Sequence, residues 1–178
     1  AGLVQLVAIL ALLVLGGAGT VHYPEGWAFL AVFGGASLAI TLYLMRADPE
    51  LLARRVRAGP SAEPQRRQQI IQAAAGVAFV AAILVPALDR RFGWSHVPLA
   101  AVIAGDVLVA AGFAAIFFVF RANTFTSAVI EVAPEQRVIT IGPYAIVRHP
   151  MYAGALVLLA GTPLALGSIV GLVAFAPL

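Results

Sequence analysis

Three stretches of this chain, Gly26–Met45, Ile70–Leu88 and Pro98–Phe120, run for about twenty residues with almost no charge. A helix needs ~20 apolar residues to cross about 30 Å of hydrocarbon, so each is long enough to span a bilayer. A shorter run, Leu3–Gly19, precedes them, and a fifth, Met151–Leu178, closes the sequence. Over the 178 residues, 62% are hydrophobic and only 11% charged, with a mean hydropathy of +0.98. A water-soluble fold of this size cannot hide that much apolar surface. The reading is an all-α polytopic integral membrane protein of about five transmembrane segments, forming one domain over residues 1–178. Nothing in it suggests a nucleic-acid partner, despite a pI near 10.0. The absence of Cys excludes disulfides and thiolate metal sites. All eleven basic residues are Arg, which excludes a Walker lysine, a Schiff-base lysine and a Ser–Lys dyad.

The charges give the expected orientation. Residues 46, 54, 55, 57, 66 and 67 are Arg, set against Asp48, Glu50 and Glu63, and this excess of +3 equals the net charge of the whole chain. The positive-inside rule makes 46–69 a cytosolic interfacial loop. Alternation then places Thr20–Glu25 and Asp89–Val97 outside and the polar loop 121–150 in the cytosol. Within the first loop, Asp48-Pro49-Glu50 has the pattern of a helix start, and Leu51–Val56 reads as a short amphipathic helix lying in the interface. In the second, Thr126–Val132 and Arg137–Ile141 are rich in β-branched residues and read as a small hairpin-like excursion.

No metal site is expected, because His22, His96 and His149 are scattered without ligand spacing. No Gly-rich dinucleotide fingerprint is present. Asp106 lies inside an apolar run, where a carboxylate is costly unless protonated or paired. It reads as a substrate contact or proton relay, or as a structural partner to another helix, or as a carboxylate close to the outer interface. The densest polar and aromatic string is Ile141-Gly-Pro-Tyr-Ala-Ile-Val-Arg-His-Pro-Met-Tyr-Ala-Gly154. Pro150 suits the first position of a helix and leaves His149 at its cap. The free N–H groups of the first turn then favour an anion, and Arg148 adds a planar cation beside them.

That string, Gly-Pro-Tyr-x-x-Val-Arg-His-Pro-Met-Tyr-x-Gly, resembles the signature of the isoprenylcysteine carboxyl methyltransferases and their phospholipid methyltransferase relatives. Phe120-Arg-Ala-Asn-Thr-Phe125, Asp48-Pro-Glu-Leu-Leu52 and Gly161–Ser168 are similar to that family too, so the resemblance covers roughly residues 45–178. It implies a membrane enzyme that takes S-adenosyl-L-methionine from the cytosol and methylates a lipophilic or lipidated substrate reached from the bilayer. By the same resemblance, Arg148 and Asn123 are the catalytic candidates, and Gly142, Tyr144, His149, Pro150 and Tyr152 are the cofactor-binding candidates. The family's second cofactor motif, an Arg followed by a Glu pair, is absent from these 178 residues. For such a motif to reach the face that holds His149, the segment from Met151 must turn back, and Gly161–Pro163 and Gly167-Ser168 are the available breakers. A close packing of Gly167 and Gly171 as a GxxxG pair is expected there. The alternatives are an NADPH-dependent steroid-type membrane reductase, whose similar string has Ser and Asn where this chain has Val147 and Met151, and a non-enzymatic membrane scaffold subunit.

Overall fold

The computed structural model describes residues 2–56, 65–124 and 140–175, and every element among them is helical. Helix α1 (Gly2–Ala11) continues through a π-helical stretch at Leu12–Gly16. Then follow α2 (Pro24–Ala47), α3 (Pro49–Val56), α4 (Arg66–Phe92), α5 (Leu99–Ala122), α6 (Pro150–Ala165) and α7 (Ile169–Phe175). Three of these, α2, α4 and α5, have the length and apolarity to cross a membrane. The stretch Gly2–Gly16 and helix α6 are apolar but shorter. The expected five spans therefore reduce to three full-length helices and two shorter ones. At 1.5 Å per residue, a sixteen-residue helix reaches only about 24 Å. The outward faces remain apolar: Val77, Leu99 and Val107 are each at least 61% exposed, which is stable only against hydrocarbon.

The core lies where α1, α2, α4, α5 and α6 meet. Leu10, Val14, Phe29, Phe33, Ile83, Val109 and Leu158 are buried there. Phe33 meets Phe113 edge to face at 4.8 Å, a geometry that ring quadrupoles favour. The most extensive pairing is between α5 and α6. It is built on glycines that leave room for the opposing backbone. A Cβ on Gly112 would stand 2.6 Å from Leu158 Cβ and 2.7 Å from the Gly154 carbonyl oxygen, and one on Gly161 would stand 2.7 Å from the Gly105 oxygen. Gly105 faces Leu164–Ala165 and Gly112 faces Gly154–Leu158, so the two helices run antiparallel.

The last apolar segment breaks at the second of the two expected breakers, while Gly161, Thr162 and Pro163 continue within the helix. Helix α6 ends at Ala165, and Gly167 takes a left-handed φ of +70°. The Ser168 N–H then reaches back to the Pro163 carbonyl at 2.8 Å, as in a glycine-terminated helix end. Helix α7 returns beside α4 and α6: a Cβ on Gly171 would meet Pro86 Cγ at 2.6 Å and Pro163 Cβ at 3.0 Å. The expected pairing of Gly167 with Gly171 is not what packs this hairpin. Gly167 makes the turn, and Gly171 alone allows the close approach.

Polar side chains fasten the turn at this end of the molecule. Tyr23, buried at the start of α2, donates to the Leu166 carbonyl. Burial pushes its phenol above the ordinary tyrosine value, with Glu25 adding to the rise, so the proton stays available for the bond. Asp89 is 1% exposed and accepts from the Ser95 N–H at 2.7 Å and from the hydroxyls of Ser95 and Ser168. Ser168 in turn caps α7, accepting from the Gly171 N–H at 2.8 Å. Asp106 is half-buried on the second turn of α5, with one carboxylate oxygen lacking a partner among the described residues.

Candidate functional site

At the opposite end, the short helix expected after Asp48 is present. Asp48 Oδ1 accepts from the Leu51 N–H at 2.9 Å, and Leu51 is wholly buried beside Leu44 and Phe120. Arg54 donates to the Thr124 carbonyl, and the Arg55 guanidinium lies 5.3 Å from the centre of the Phe120 ring. Helix α3 is thus clamped to the last turn of α5, where the polar segment 123–149 begins. The expected boundary of that segment shifts slightly, because Arg121 and Ala122 belong to α5 and Pro150 to α6. The hairpin-like excursion over 126–141 falls, except for its last two residues, outside the described residues.

The string 142–154 folds as a tight turn followed by a helix start. Gly142 has φ +60°, which a residue bearing a Cβ adopts only with strain. Gly142–Ala145 then forms one 3-10 turn. Pro150 occupies the first position of α6 and is buried, and His149 is its N-cap residue. The imidazole makes no capping bond, so the first-turn N–H groups and the ring are both left for another partner. His149 and Tyr152 are exposed neighbours, their rings 5.9 Å apart and edge to face. Arg148 is exposed and forms no hydrogen bond or ion pair among the described residues. Asn123 Nδ2 donates to the Tyr144 hydroxyl at 2.9 Å. This bond joins two motifs that lie 21 residues apart in the chain.

Between α5, the 3-10 turn and the start of α6 lies a cavity of about 650 Å³, well within the range of small-molecule sites. Ala115, Phe118 and Ala122 form its α5 wall, Gly142, Pro143, Ile146 and Val147 its rim, and Pro150, Ala153, Gly154 and Val157 its α6 wall. Arg121 is the one charged side chain among these described lining residues. Of the residues expected at the site, Gly142 and Pro150 line the cavity. Asn123 and Tyr144 are bonded to each other, Arg148 and His149 stand exposed just before α6, and Tyr152 stands exposed in its first turn. Asp106 belongs elsewhere: fifteen residues of helix separate it from Arg121, about 22 Å along the α5 axis.

Two features of the site escaped the sequence reading. Arg121 stands in the sequence at the edge of a polar loop and within the Phe120–Phe125 string, and nothing in its immediate neighbours marks it as a cavity residue. The glycine rows had a signal, since 105 and 112 repeat at the same seven-residue interval as 154 and 161. Among the described residues, no group of three His, Asp or Glu side chains could hold a metal ion.

Residues 100–178 match the family model described as phospholipid methyltransferase. The matched segment contains both helices that wall the cavity and the string 142–154, and it agrees with the resemblance that string carries. The match implies a methyltransferase activity in a chain of membrane-type helices. No curated protein and no solved structure matches the chain.

Proposed function

Taking residues 100–178 as a phospholipid methyltransferase unit, we propose that the protein transfers a methyl group from S-adenosylmethionine to a lipophilic acceptor at the cytosolic membrane face. The acceptor would be a prenylcysteine-like carboxylate or a lipid, with isoprenylcysteine carboxyl O-methylation as the nearest enzymatic type. The observation that carries this reading is the shared wall of cavity and polar turn. A mostly apolar cavity is bounded by the Gly142-Pro143 turn and by Pro150, directly beside a cluster of exposed hydrogen-bonding groups. An enzyme that joins a polar donor to a greasy acceptor needs both surfaces to meet at one edge.

The residues present suit such a cofactor. The uncapped start of α6 offers N–H groups and a positive dipole end to a carboxylate. Arg148 supplies a fork-shaped cation for the same purpose or for an acceptor carboxylate. His149 and Tyr152 supply hydrogen bonds, and the Asn123–Tyr144 bond ties the preceding 3-10 turn to the end of α5. Gly142 shapes the rim of the pocket directly, and Tyr144, off the cavity wall, acts through its bond to Asn123. When bound, S-adenosylmethionine supplies a sulfonium methyl, which needs an aligned nucleophile more than acid–base assistance. The protein's part is therefore positioning and exclusion of water. Phe118, Ile146, Val147 and Val157 form a dry wall for the acceptor's chain, and the outer sides of α5 and α6 give access from the bilayer.

Purified protein in lipid nanodiscs, given S-adenosylmethionine with a radiolabelled methyl group, tests this reading. Label should pass into an organic-extractable product when a lipophilic acceptor is supplied. Absence of extractable label with both lipophilic carboxylates and phospholipids would contradict it.

A further inference from the structure

We infer that Arg121 is a specificity-determining residue that binds an oxyanion on the acceptor's head group, so that the cavity selects anionic amphiphiles. The inference rests on the proposed methyltransferase reading and narrows its substrate class. Four observations lead to it. Arg121 lies in the last turn of α5, at the level where the chain leaves the apolar helix. It is the one charged group among the described lining residues of a cavity that is otherwise Ala, Phe, Gly, Pro, Ile and Val. It forms no hydrogen bond or ion pair among the described residues, its recorded contact being a 6.0 Å approach to the Phe117 ring. That ring, one turn earlier on α5, supports the side chain without neutralising it. The buried N1 residue of α6, Pro150, lines the same cavity, so the dipole of α6 adds positive potential at that wall.

A guanidinium at the rim of an apolar cavity matches an amphiphile with an apolar chain and an oxyanion head. Bidentate pairing would hold such a head in a fixed plane, while the chain lies against Phe118 and Val157. Arg148 does not line this cavity, which leaves it free for the cofactor side. A carboxylate on a lipophilic chain and a phosphate of a lipid head group share the recognising chemistry. The first would itself accept the methyl group, and the second would hold a neighbouring nucleophile in place.

The test is equilibrium binding of three tritiated amphiphiles of equal chain length to protein in zwitterionic nanodiscs. The three are a long-chain carboxylate, a monoacyl glycerol phosphate and the neutral methyl ester of the first, each corrected for uptake by protein-free discs. The parent should bind at least one anionic probe more tightly than the ester, and whichever anion is preferred identifies the acceptor's head group. Arg121→Ala should weaken that probe by roughly 10- to 150-fold while leaving the ester unchanged. Arg46→Ala, at the same end of the molecule but outside the cavity, should leave the discrimination intact. Equal binding of all three probes, discrimination that survives Arg121→Ala, or an equal loss with Arg46→Ala would each overturn the inference. S-adenosylhomocysteine binding, measured on the same samples, should be unaffected by Arg121→Ala; a loss confined to that ligand would assign Arg121 to the cofactor instead. A parent that discriminates anions through Arg121 but binds no S-adenosylhomocysteine would overturn the methyltransferase reading and leave the oxyanion site standing.

Discussion

At the scale of single residues, the polar groups at the start of α6 carry the most pointed expectations. His149→Ala, Tyr152→Phe and Arg148→Lys should each weaken S-adenosylhomocysteine by about 10- to 150-fold, the range for one charge-assisted hydrogen bond. The lysine variant belongs with the others because a point charge cannot replace a planar fork. All three side chains are exposed, so the melting temperature should stay within a degree or two of the parent, and affinity by calorimetry separates the two effects. Tyr23→Phe should behave in the opposite way. It deprives the Leu166 carbonyl of its donor and should cost about 1 kcal/mol, seen as a lower melting temperature with cofactor affinity unchanged. Because burial raises the Tyr23 phenol, its contribution should hold through neutral pH. It should fall only above about pH 10, where the unfolded chain begins to lose that proton first. The helix start at Pro150 could be read from the sequence because proline's fixed φ and missing N–H are local properties. The role of Arg121 could not, since a cavity wall depends on which helices pack side by side.

At the scale of elements, the α5–α6 pair shows how glycine changes meaning with its surroundings. Gly112→Ala should destabilise by about 1–3 kcal/mol, because the added Cβ would meet Leu158 and the Gly154 carbonyl with no flexible side chain to yield. Gly35→Ala, on α2 with nothing within 4 Å of the added atom, should be neutral or stabilising by up to about 1 kcal/mol. Thermal unfolding of both variants in the same detergent checks the contrast, and an equal loss for both would remove the close-packing account. The apolar runs made the long helices readable, because length and hydropathy are enough for them. The turn at 166–168 could also be placed, since Gly167 takes the left-handed φ that ends a helix, whereas Pro163 is accommodated inside α6. The glycine that packs there could not be chosen from spacing alone: 167 and 171 fit GxxxG as sequence, yet 167 lies in the turn.

At the scale of the whole molecule, two ends with different characters follow from the fold. One carries α3, the 3-10 turn and the cavity, and the other carries the Tyr23–Leu166 bond and the Asp89 cluster. We propose, from the arginine excess between residues 46 and 67, that the first end faces the cytosol. The chain has no native Cys, so single substitutions report cleanly. A Cys at Glu50 should be shielded from an impermeant thiol reagent in intact cells, and one at His96 should react; the reverse pattern would invert the proposed topology. The central claim is that the cavity end holds S-adenosylmethionine rather than a nicotinamide cofactor, and it is tested most directly by calorimetry of the purified protein against S-adenosylhomocysteine and NADPH in parallel. The account predicts saturable binding of S-adenosylhomocysteine, lost with His149→Ala, and no heat from NADPH. Binding of NADPH alone would contradict it and identify the site as that of a reductase.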